Sequence, residues 1–140
     1  MGSYFTLRVC MSSEHSILLI DDSERSRHDL DTVLKFLGEK SLSATSCDWH
    51  SRVSVSGLKS SAFCVALIGD CQHSDLVDLL SQLYQWEKGL PFVLLGTEPP
   101  PEFLNSEILT RITATIDGPL SYQPLLDALH KAKVFHEHYN

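Results

Sequence analysis

Positive charge is scarce in this chain. Eleven Lys and Arg residues stand against eighteen Asp and Glu, a net charge of −7 over 140 residues. A surface of that sign repels a phosphate backbone, which argues against direct nucleic-acid binding. Long apolar runs are missing as well, and no stretch approaches the roughly 20 residues of a membrane-spanning helix. The amino terminus, MGSYFTLRVC, lacks the basic-then-apolar plan of a signal peptide. Cys10, Cys47, Cys64 and Cys71 show no CxxC spacing, and Cys64 lies inside an apolar run, where cysteine packs as a small hydrophobe. A reduced, cytoplasmic setting follows from that usage. Neither a glycine-rich phosphate loop nor a Walker motif GxxxxGK[ST] is present, which leaves nucleotide binding without support. There is no internal repeat and no low-complexity segment.

What is present reads as one domain with a single core. Residues 1–14 are expected to be a disordered leader, with Met11 an alternative start, and residues 15–140 the folded unit. From His15 the chain runs HSILLIDDSERSRHDLDTVLKFLG. Ile17 to Ile20 is a strand apolar on both faces, as in the middle of an α/β sheet. Asp21 and Asp22 follow it, Ser23 opens a helix with Leu30, Val33, Leu34 and Leu37 on one face, and Gly38 stops it. A weaker strand from Ser41 to Ser46 reads as a sheet edge, and Cys47 to Leu58 as a short or irregular helix. Ala62 to Ile68 is a second buried strand. Ser74 is expected to cap a helix striped by Leu76, Leu79, Leu80 and Leu83, with Gly89 ending it. Pro91 to Leu95 is another buried strand. Pro99, Pro100 and Pro101 then force extended backbone, so the next helix starts near Glu102 and is short. Thr113 to Ile116 is the last strand, and Ser121 begins the last helix, with Tyr122, Leu125, Leu126 and Leu129 facing inward. Repeated β-α units with short loops imply a parallel sheet with helices on both faces and right-handed crossovers.

Ligands collect at the carboxyl ends of such strands, where Asp21 and Asp22 lie. The opening ILLIDDSERSR, the segment LPFVLLG and the closing TIDGPLSYQPLLDAL resemble the response-regulator receivers, the CheY-like branch of the flavodoxin-like folds, over about residues 15–135. The resemblance implies a five-stranded sheet in the order 2-1-3-4-5. It also implies a phosphorelay pocket: an acidic pair for Mg²⁺, an aspartate ending the third strand as phosphoacceptor, a hydroxyl ending the fourth and a lysine ending the fifth, since phosphoryl transfer is mostly positioning and charge neutralisation. Here the acceptor position falls on Gly69, with Asp70 one residue late. The hydroxyl position falls on Gly96, with Thr97 one late, and the lysine position on Gly118, before the expected Pro119. A one-residue slip along a strand turns a side chain to the other face.

Three departures at one pocket read as an abandoned site. With FLGE after the first helix and PLSYQPLLDALHKAKVF at the end, the pattern resembles the amino-terminal domain of the FleQ/FlrA flagellar master regulators. The resemblance implies a phosphorylation-independent, non-enzymatic regulatory module of a σ54-dependent activator, excised from the AAA+ ATPase and DNA-binding domains that follow it in that family. It would act by forming a homodimer or by docking on the ATPase domain. The alternative is an active receiver that is phosphorylated on Asp70 with Mg²⁺ at Asp21 and Asp22.

On the residues themselves, Asp21 and Asp22 read as a relic pair at a helix amino terminus rather than a cation site, because two carboxylates hold Mg²⁺ only weakly. Asp70 reads as a turn residue, Cys71 as an ordinary loop thiol, and His130, His136 and His138 as a solvated helix end. No metal or cofactor is expected beyond weak Mg²⁺ at the acidic pair. In the last helix Ala128, Ala132, Phe135 and Tyr139, with Val134 beside them, form a further face that reads as an interface. By analogy with the receiver turn, the Gly118–Pro119 bond is expected to be cis.

Overall fold

The computed structural model describes residues 15–139; the expectation for residues 1–14 lies outside them. Five strands alternate with five helices: β1 (Ser16–Ile20), α1 (Glu24–Phe36), β2 (Lys40–Ala44), α2 (Trp49–Ser56), β3 (Phe63–Ile68), α3 (His73–Trp86), β4 (Phe92–Leu95), α4 (Glu107–Arg111), β5 (Ile112–Ile116) and α5 (Tyr122–Tyr139). The strands are parallel and ordered β2-β1-β3-β4-β5.

Period-two alternation divides the core between the two faces of the sheet. Leu18 and Ile20 of β1 join Trp49, Phe63, Leu76, Leu80 and Leu83 beneath α2 and α3. Ile17 and Leu19 join Leu30, Leu34, Leu125 and Leu129 beneath α1 and α5. Every residue of β1 and β3 is buried. Each fully buried aliphatic side chain contributes about 1.5–3 kcal/mol relative to exposure, so these central strands are the rigid part of the frame. The Trp86 ring lies between Trp49 and Phe63, with centroids 5.2 and 5.7 Å away, and closes the α2–α3 side.

Ser23 caps α1 as expected, its side chain accepting from the Ser26 amide. Helix α3 differs from expectation: it begins at His73 after Gln72, which makes no side-chain cap, and ends at Trp86 rather than at Gly89. Ser74 is one residue inside that helix, so it cannot act as the cap. The proline run gives a single 3₁₀ turn at Pro101–Phe103, and α4 follows only after Ser106, which caps it. The described residues contain no cis peptide bond, Gly118–Pro119 included.

The described residues contain no helix long and apolar enough to cross a membrane.

Candidate functional site

The alternation that buries Ile17 and Leu19 under α1 carries on past the end of β1 and sends Asp21 the same way. Asp21 is fully buried. Its Oδ1 accepts from the Ser23 amide at 2.8 Å, and its Oδ2 accepts from the Ser26 hydroxyl. The Arg27 guanidinium donates to its backbone carbonyl at 2.8 Å. Both carboxylate oxygens are thereby spent on the first turn of α1, where backbone amides and the helix dipole favour negative charge.

Asp22 is exposed and turns the other way. It accepts from the Ser46 amide at 2.7 Å and the Ser46 hydroxyl at 2.8 Å, which pins the loop after β2 to the end of β1. The Cys71 thiol also sits against it. Burial, then the charge of Asp22 and the hydrogen bond to it, push that thiol up to about 12, so Cys71 stays protonated and inert.

Gly69 explains the arrangement. A Cβ built there would meet Asp21 Oδ2 at 2.2 Å and Cγ at 2.8 Å, far inside contact distance. The carboxylate of Asp21 therefore occupies the space that an acceptor side chain at Gly69 would need. Glycine is required here by that close approach. Asp70, one residue on, is exposed. Its backbone carbonyl, accepting from the Asp22 amide at 2.8 Å, is the group that meets the acidic pair.

A cleft of about 520 Å³ opens over this region between the start of α1 and the ends of β3, β4 and β5. Gly69, Gly96 and Gly118 all line it, with Leu30, Leu95, Ile116 and Leu120 as its apolar wall and Arg25, Asp29 and Asp70 among its polar residues. Gly96 and Gly118 each have φ +74° with nothing within 4 Å of an added Cβ. Space is free there, but the left-handed backbone disfavours any side chain that would fill it. Thr97 donates to the Glu98 carbonyl at 3.4 Å, and Pro119 is exposed.

The fit to Mg²⁺ is poor. That ion takes near-octahedral oxygen ligands at close range, yet the oxygens of Asp21 and Asp22 already accept protein donors. Among the described residues no three His, Cys, Asp or Glu side chains gather closely enough to hold a metal.

The interface face expected on α5 divides in two. Ala128 and Ala132 are 4% and 0% exposed and belong to the core beneath the sheet. This corrects the expectation that they face outward: the buried stripe of α5 is Leu125, Ala128, Leu129, Ala132 and His136. His136 therefore departs from the solvated helix end expected of it, lying edge-on to His15 with centroids 5.2 Å apart. Burial, then the nearby His15 charge, holds its imidazole below the ordinary histidine range. Phe135 is half-buried and Tyr139 exposed, their rings stacked at 6.1 Å. The Arg111 guanidinium lies over both, 5.6 Å from Phe135 and 4.7 Å from Tyr139, and 5.6 Å from the Tyr84 ring. Sequence reading missed Arg111, which the structure places at the junction of α4 and β5 with no loop between.

A five-stranded 2-1-3-4-5 parallel sheet with acids at the end of β1 defines a receiver-type domain, and solved receivers superimpose on it. A response-regulator receiver domain protein from Clostridium thermocellum matches with TM-score 0.71 at 15% identity, covering 90% of this chain and 99% of that one. The chemotaxis response regulator CheY4 of Vibrio cholerae matches with TM-score 0.63 at 18% identity, covering 84% of this chain and 98% of that one. The response regulator TrrA from Thermotoga maritima, solved with Mg²⁺ and BeF, gives 0.61 at 15% identity over 84% of this chain and 98% of that one. At such identities the likeness is one of fold. Residues 16–134 match the family described as flagellar regulatory protein FleQ, and the chain belongs to that family.

Proposed function

We propose that this chain is a phosphorylation-independent, non-catalytic regulatory domain of a flagellar-gene activator, working through self-association or through docking on an adjoining AAA+ ATPase domain. The observation that carries the reading is the 2.2 Å approach of a Gly69 Cβ to Asp21 Oδ2. In a phosphorelay pocket the acidic pair and the acceptor must share a metal and a phosphoryl group. Here one acid stands in the acceptor's place. A site so arranged has kept the local job of its carboxylates, which is to cap α1 and tie down the loop after β2. Membership of the FleQ family supports the placement in a larger regulator, and the domain is read as cytoplasmic.

The test is treatment with Mg²⁺ and a small-molecule phosphodonor or beryllofluoride, followed by intact mass and backbone NMR. The expected result is an unchanged mass and no saturable shift at Asp21, Asp22 or Asp70. The competing reading, an active receiver, has one observation on its side, since Asp70 lines the cleft. A phosphoryl adduct that disappears in Asp70→Asn would replace our reading with that one.

A further inference from the structure

The cleft over the strand ends holds both room and charge that the domain itself does not use. Its volume of about 520 Å³ falls in the range of small-molecule sites. Two of its glycines leave that room open: an added Cβ at Gly96 or Gly118 would meet nothing within 4 Å. Leu30, Leu95, Ile116 and Leu120 form an apolar wall, against which an apolar body sheds its water.

The charges that line the cleft differ from the acids that follow β1. Asp21 and Asp22 are satisfied by the protein. Four arginines lie among the described residues. Arg27 donates to the Asp21 carbonyl, Arg52 to Asp48 and Arg111 to the Lys88 carbonyl. Arg25, which lines the cleft, has neither a hydrogen bond nor an ion pair among the described residues. Asp29 stands four residues further along α1 and lines the same cleft, yet the two do not pair. An arginine that precedes its acid is the weaker order on a helix, and an exposed pair is worth little in either order. Asp70 reaches the cleft from the end of β3, and its carboxylate is likewise without a partner among the described residues.

A ligand that answers this set has three parts. An anionic end suits the Arg25 guanidinium, whose planar fork takes a carboxylate through two parallel bonds. A cationic end suits Asp29 and Asp70. An apolar body between them lies on the wall of the cleft. A purely anionic ligand would meet two carboxylates for one guanidinium, and a purely cationic one would face Arg25 unpaired.

We infer that the cleft binds a small zwitterion, an apolar body carrying a carboxylate and an ammonium group, as a free apolar amino acid or a short apolar peptide does. Such a ligand touches α1 and the loops after β3, β4 and β5 at once, and gives the domain an input that needs no phosphoryl transfer. The inference goes beyond the function proposed above. Its test reads reversible binding rather than a covalent adduct, so either can fail without the other.

The experiment titrates the intact chain with leucine, phenylalanine or the dipeptide Leu-Leu up to about 20 mM and reads backbone NMR shifts. N-acetyl-leucine, which lacks the cation, and leucinamide, which lacks the anion, serve as comparisons. The variants are Arg25→Gln, Asp29→Asn and Asp70→Asn, all at exposed positions where substitution leaves the fold intact. The expected result is saturable shifts at Leu30, Gly96 and Gly118 with at least one zwitterion, and affinity at least about tenfold lower for both single-ended analogues. Arg25→Gln should weaken the zwitterion about tenfold and leave leucinamide unchanged. The two Asn variants should weaken the zwitterion and leave N-acetyl-leucine unchanged. Tighter binding of the dipeptide than of either amino acid identifies a peptide as the ligand, and the reverse a free amino acid. No saturable shift with any zwitterion overturns the inference. So does binding indifferent to Arg25→Gln, or N-acetyl-leucine binding as tightly as leucine.

Discussion

The carboxyl-end pocket and the β5 edge sit on the same sheet and behave in opposite ways. In the pocket the two acids that follow β1 are spent inside the domain: Asp21 on Ser23 and Ser26, Asp22 on Ser46. At the β5 edge Thr115 is exposed, and the neighbouring aromatics gather around one arginine. A pocket that works on a ligand has to leave some of its donors or acceptors unsatisfied until the ligand arrives. The difference teaches that the two acids after β1 hold together segments of their own domain, which is what the function proposed above requires of them.

The comparison can be broken hardest at Gly69. Gly69→Asp would restore the aspartate a receiver carries, but it drives a side chain into Asp21 and buries a second negative charge beside it. We expect a loss of about 3 kcal/mol or more in urea unfolding, without any gain in phosphorylation. Combining it with Asp21→Ala should recover at least about 1 kcal/mol through their coupling. If Gly69→Asp were neutral, Asp21 would not be filling the acceptor's place.

Asp21 and Asp22 themselves sharpen the contrast within the pocket. Asp21→Asn at a buried site would cost about 1–3 kcal/mol, because the bonds from the Ser23 amide and the Ser26 hydroxyl lose their charged acceptor. Asp22→Asn, at an exposed site, should stay near 0.5–1 kcal/mol. Equal effects would show that burial is not what separates them.

A third expectation concerns pH and the inner face of α5. His136 is held below its ordinary range in the folded chain, so the unfolded chain binds the extra proton first on acidification. Stability is therefore whole above the ordinary histidine value of about 6.5 and declines as pH falls below it, by up to about 1.4 kcal/mol per unit of depression. Thermal melts of the wild type and His136→Gln between neutral and mildly acidic pH should converge as pH drops. Parallel curves would remove His136 from the account.

The smallest effect is at the rim. Tyr139→Ala removes one ring from Arg111 and should cost the isolated domain about 0.5–1 kcal/mol in denaturant unfolding. A much larger loss would mean that the cluster is core rather than surface.

Much of this fold is legible in the sequence. The all-apolar runs at Ile17–Ile20 and Phe63–Ile68 could only be central strands, and the leucine spacing of α1 and α3 named the faces those helices bury. The misreadings fall where side-chain volume rather than hydrophobicity chose the contact. Tyr122 and Leu126 look like the inward residues of α5, yet Ala128 and Ala132 take those places because small residues let the helix settle close on the sheet. Ser74 was plausible as a cap on residue type alone, and the turn after Asp70 simply enters the helix two residues earlier.

Local pattern thus determined by itself the order of the elements, the parallel sheet and the glycines that stand at three strand ends, because periodicity and residue identity depend only on the chain. Which of the two adjacent carboxylates turns inward, whose space it takes, and which edge is left open were decided by the assembled sheet. Those are distances between atoms of different strands, and they exist only once the strands lie side by side.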